Sequence, residues 1–182
     1  MMLTTQQQNT LKTFIQADPT LNAFAPGADN AWAIADLLAV NANPAFQVWQ
    51  SNTPASDIYD AVQWAAFTPS DAPDGTTLWA NRSLACQGKQ FNLQTLLSGR
   101  ETISTGKANI RAGLQDALTG IPSGTNGAQS VGGWPAVKLA IQRPANVLEK
   151  LFATGTGTSV NPATLVVEGR LYYQDIMQVM GW

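Results

Sequence analysis

Asp57 and Asp60 are the nearest this sequence comes to a paired-carboxylate site. Three residues apart, they share one side of a helix, where one carboxyl can serve as acid and the other as base, or both can face a cation. The same spacing also makes a solvated acidic helix start, which the helix dipole favours. Glu168 and Asp175 form a second candidate pair, but nothing in their spacing forces them together. Cys86 is the only cysteine and follows Ala85 in a helical pattern with no base beside it. A thiol in apolar surroundings without such a partner is inert. Histidine is absent, which removes Ser-His-Asp and Cys-His nucleophiles, imidazole acid–base work and the usual zinc ligand sets. The run FATGTGTS (152–159) superficially resembles a phosphate loop. It follows a helical pattern where a strand is required, and no Gly-Lys-Ser/Thr closes it. Asn81-Arg82-Ser83 fits a glycosylation sequon but lies in a helical pattern. No residue therefore reads as catalytic, cofactor-binding or metal-binding, and the expectation is a protein without enzyme activity and without a cofactor.

Surface chemistry is more distinctive. Charged residues are 12% of the chain, about half of the roughly 25% typical of soluble domains. Such a chain must show water neutral polar groups or cover its surface with partners. Six tryptophans (Trp32, Trp49, Trp64, Trp79, Trp134, Trp182) suit either a core or anchored interfaces. Residues 1–75 hold one base against seven acids, a net of −6, and residues 76–182 hold nine bases against five acids, a net of +4. An acidic half and a basic half can stack on copies of themselves or bridge unlike partners, or can fold together and cancel. The bases Lys89, Arg100, Lys107, Arg111, Lys138, Arg143, Lys150 and Arg170 are dispersed, and the pI is near 4.9. That pattern allows at most non-specific contact with DNA. The uncharged stretch Leu37–Ser56 is broken by Asn41, Asn43, Pro44, Asn52 and Pro54, so no membrane span is expected. The opening MMLTTQQQNTLK lacks the basic and apolar regions of a signal peptide, and the chain reads as kept inside a cell or delivered within an assembly.

The elements that must position these groups are mostly helical, and 182 residues suit one domain. Apolar spacing predicts a helix from Thr4 to Ala17, ended by Asp18-Pro19. A second starts at Asp29 as N-cap and ends by Asn41–Pro44. Phe46–Gln50 is the best early strand, and Ser56 reads as the N-cap of the helix bearing Asp57 and Asp60. After the turn-rich segment 68–75, helices are expected over Thr77–Gln87, Lys89–Leu97 and Lys107–Leu118. Residues 121–133, IPSGTNGAQSVGG, read as a mobile loop able to order on assembly, and 155–163 as a second mobile loop. Trp134-Pro135 opens a long helix to about Thr154 that Pro144 must kink or split. Thr164–Tyr173 suggests a short hairpin about Glu168-Gly169, before a last helix from Gln174 to Met180. The expected fold is mainly α, a helical bundle in one domain with long loops and at most a small β-hairpin.

Five stretches, QADPTL (16–21), AIADLL (33–38), VWQSNTP (48–54), NIRAGLQDALTG (109–120) and EKLFATGTGTSVNPATLVVEGRLYYQDI (149–176), together resemble a family of small virion proteins of tailed bacteriophages. The likeness touches most of the chain but rests on packing and turn residues. It implies a neck component, a head-to-tail adaptor forming a ring under the portal, with itself, the portal and tail or neck proteins as partners, twelve copies from the portal's symmetry, and the virion as location. Gln50 stands where that resemblance implies a base, and Pro144 interrupts an otherwise regular helix. The candidate contacts are Trp49, Trp182, Arg111, Arg143, Asp57 and Asp60, with the loops 121–133 and 155–163. A tail terminator, head-closure or cement protein is the nearest alternative, and a host-directed binding protein or carboxylate enzyme outside the particle is the more distant one.

Overall fold

A computed structural model describes residues 3–67, 77–122, 129–130 and 133–182, and the expected turn-rich segment 68–75 lies outside them. The fold is mainly α, with eight α-helices among the described residues and strands of only two or three residues. Where one domain is expected, the chain divides into two compact units, one from residues 1–48 and 144–182 and the other from Trp49–Arg143. By sequence, the first unit holds three bases and six acids and the second seven bases and six acids. The acidic and basic halves of the sequence are thus mixed by the fold, because the chain returns to its first unit after Arg143. Asp36 and Arg170, one from each half, pair at 3.1 Å.

In the first unit, α1 (Thr5–Ala17) begins at a capping box the sequence reading passed over. Thr4 Oγ1 accepts from Gln7 N and Gln7 Oε1 accepts from Thr4 N, so two otherwise orphan donors are satisfied together. Helix α2 (Ala28–Ala39) is capped by Gly27, two residues before the expected cap, which leaves Asp29 in the first turn beside the helix dipole. Its small residues Ala31 and Ala35 are buried and let the last helix, α8 (Tyr173–Met180), pack chiefly against it. Leu11, Ile15, Ile34, Leu38, Leu148, Leu171 and Ile176 fill this core.

Pro144 splits the expected 134–154 helix. It becomes α6 (Trp134–Ala140), β6 (Gln142–Pro144) and α7 (Val147–Phe152), the last begun by an Asn146/Glu149 capping box. No hairpin forms about Glu168-Gly169. Side chains hold that turn instead: Gly169 N donates to Glu149 Oε1 (3.0 Å) and Gly169 O accepts from Asn146 Nδ2 (2.9 Å). The expected mobile segment 155–163 is held by hydrogen bonds at Thr156, Gly157, Thr158, Asn161 and Ala163. Thr156 Oγ1 and Thr158 N donate to Asn161 O, and Gly157 O accepts from Gln47 N (2.7 Å) in β1 (Gln47–Trp49). At Gly157 (φ +67°) a Cβ would run into the Phe46 ring, so only glycine seats the loop there.

In the second unit, β2 (Thr53–Pro54) pairs antiparallel with β3 (Thr102–Ile103). Helix α3 (Ala55–Ala61) then starts before the expected Ser56 cap, because Ala55 N finds its acceptor in Glu101 O (2.9 Å) rather than in a side chain. The two helices expected on either side of Gly88 are one, α4 (Thr77–Leu97), packed on α5 (Ala108–Leu118). A helical glycine costs about 1 kcal/mol relative to alanine, less than the burial of Cys86 and Leu93 on its two sides returns. Strands β4 (Ile121–Pro122) and β5 (Gln129–Ser130) pair antiparallel, and the remainder of the expected 121–133 loop, residues 123–128 and 131–132, lies outside the described residues.

Candidate interaction surfaces

The most elaborate polar site lies in the second unit, where residues 104–107 meet 49–53. Gly106 brings the two segments together: its N donates to Ser51 O (3.2 Å), and a Cβ there would stand 2.9 Å from Ser51 Cα. Thr105 and Thr53, both fully buried, share a hydroxyl–hydroxyl bond of 2.6 Å, and Thr105 Oγ1 also reaches Gln50 O (2.8 Å). Gln50 spends its amide N–H groups on Ala140 O (3.1 Å) and Gln142 O (3.0 Å). A lysine could not accept from Thr53 as Gln50 Oε1 does at 3.5 Å, so a neutral side chain suits the position.

Arg111 closes this site. Its Nη1 donates to Thr105 O (2.8 Å) and Gly106 O (2.7 Å), and the guanidinium carbon lies 4.6 Å from the centroid of the Trp49 ring. Burial lowers the Arg111 pKa from its ordinary value, although a guanidinium stays charged. Two of the expected contacts, Trp49 and Arg111, are therefore brought together 62 positions apart in the chain. Trp49 is half-buried against the second core.

The other expected contacts are dispersed. Asp57 and Asp60 are exposed on α3, and Asp57 takes only a 3.3 Å bond from its neighbour Ser56. Between them Tyr59 is exposed and stacks on Trp64 at 4.4 Å. Arg143 is half-buried in the second unit. Trp182 is half-buried against the first core; Gly181, left-handed at φ +76°, turns the chain so that Trp182 N bonds back to Met177 O (3.0 Å). None of the five tryptophans whose side chains are described is fully buried.

Two apolar surfaces escaped the sequence reading. Leu84 and Phe91 on α4 are each 68% exposed. Seven residues apart, they face the same way, while Cys86, Leu93 and Leu97 form the buried stripe on the other side. The signal was in the sequence, as an α4 whose apolar residues go all the way round. In the first unit Trp32, 38% exposed, sits 5.2 Å from Tyr173 and 6.4 Å edge-on to Tyr172, and Arg170 lies over Tyr172 at 5.8 Å. Trp, Tyr and Arg are the residues that anchor interfaces.

A cavity of about 470 Å³ between α3 and α4 is lined by Ala55, Ser56, Tyr59, Gln94, Leu97 and Ser98, a neutral set. Among the described residues no three His, Cys, Asp or Glu side chains gather as a metal site, and no helix is long and apolar enough to cross a membrane. No protein-family model, no curated protein and no solved structure matches the chain.

Proposed function

We propose that this chain is a structural subunit of a phage head-to-tail connector, located in the virion, whose bundled helices form a ring joining the portal to the tail. The observation that carries the reading is the second apolar face of α4. Burying a side chain such as Leu84 or Phe91 is worth roughly 1.5–3 kcal/mol, a gain that a contact between subunits would realise. The low charge density and the half-exposed tryptophans support the same reading. So does the likeness of residues 149–176 to phage neck proteins. A ring is built from unlike faces that meet head to tail and close, and it asks for no catalytic residue. The test is native mass spectrometry of the wild-type protein beside Leu84→Ser/Phe91→Ser. A closed oligomer that the double variant loses, with helicity unchanged, supports the reading; a wild-type monomer at all concentrations refutes it.

A further inference from the structure

Arg111 is held by its own subunit along only part of its guanidinium. Of the five N–H donors of a guanidinium, the two on Nη1 go to Thr105 O and Gly106 O. The Trp49 ring fixes the plane. The Nε and Nη2 donors take part in no hydrogen bond or ion pair among the described residues. That edge is the one that grips a carboxylate side-on through two parallel bonds. A half-buried cation, already ordered by three contacts, has lost much of its hydration and little of its binding capacity. An anion arriving there orders no further side chain on this side of the contact.

From this geometry we infer that Arg111 binds the α3 carboxylates, Asp57 and Asp60, of a second copy of the chain. The inference rests on the ring reading and names one of its contacts. Asp57 and Asp60 are exposed, lie on one face of α3 and pair with no cation among the described residues. They are the two acids placed closest in sequence within the second unit's described part. Arg111 lies on α5 and the aspartates on α3, so the contact joins two different patches, which can meet head to tail around a ring. A nucleic-acid phosphate matches the same edge in chemistry, but the chain is net negative and its bases are dispersed.

Sedimentation equilibrium of the full chain tests the inference. Asp57→Asn/Asp60→Asn changes only exposed side chains, so the fold is kept, and it should weaken self-association roughly ten- to a hundredfold. Asp29→Asn, an equal loss of charge per residue on the exposed start of α2, should leave it within about twofold. Arg111→Lys keeps the charge but not the fork and should weaken association like the double aspartate variant. Wild-type assembly that is indifferent to Asp57→Asn/Asp60→Asn, or equally sensitive to Asp29→Asn, overturns this contact and leaves the ring reading standing. A wild type that never associates overturns both. Duplex DNA bound by the wild type and lost in Arg111→Lys would assign the arginine to phosphate and overturn the carboxylate partner.

Discussion

Replacing Glu149 by alanine should destabilise the first unit more than any other single change of a charged residue there. The side chain is only 2% exposed, and its carboxylate accepts from Asn146 N (3.1 Å) and from Gly169 N (3.0 Å). One bond closes the cap of α7 and the other pins the turn that carries Val167 and Leu171 into the core. Each buried donor left without an acceptor costs roughly 1–3 kcal/mol. Relief from burying a charge offsets part of this, and Asn146 Oδ1 still caps Glu149 N (2.8 Å). The net is about 2–4 kcal/mol. With a urea slope of about 2 kcal/mol per molar, the unfolding midpoint followed by tryptophan fluorescence should fall by about 1–2 M. Glu149→Gln, which keeps one acceptor oxygen, should lose about half as much. A midpoint shift below about 0.3 M for Glu149→Ala would show that the carboxylate does not hold this turn.

Gly157→Ala should cost about 1–3 kcal/mol by overpacking against Phe46, and the amide of Gln47, bonded to Gly157 O, should exchange faster. Thr105→Val should cost about 1–2 kcal/mol because it leaves the buried Thr53 hydroxyl only its 3.5 Å bond to Gln50 Oε1 and takes the Thr105 donor from Gln50 O, while Thr53→Val/Thr105→Val should cost less than the sum of the two single changes in a denaturation cycle. Cys86 is fully buried, so an aromatic disulfide reagent should label it slowly in the native protein and at once in denaturant. Leu84→Ser/Phe91→Ser should leave stability within about 0.5 kcal/mol while reducing self-association, read by thermal melting and light scattering.

The parts of the fold legible in sequence were those set by local pattern. The stripe of Leu11 and Ile15 and the run Leu114 to Leu118 placed α1 and α5 within a residue or two, and the last helix fell within a residue of its expected start. Errors fell where a distant group supplied what the local chain lacks. Glu101 O relieved Ser56 of its cap, burial on α4 outweighed Gly88, and Glu149 and Asn146 held Gly169 without a hairpin. Arg111 and Trp49 were both singled out, but no spacing rule joins residues that far apart; only the loop folded over Gly106 does. The Leu84 and Phe91 face was hidden because an exposed apolar residue reads like a core one until its neighbours are known.

Particle composition tests the connector reading most directly. On that reading the chain is encoded by a phage whose purified particles contain it, by quantitative mass spectrometry, in a fixed ratio of one to one with a twelvefold portal, and whose particles made without it have filled heads that fail to join tails. Particles that lack the chain, while infected cells contain it as a free monomer, would contradict the reading outright.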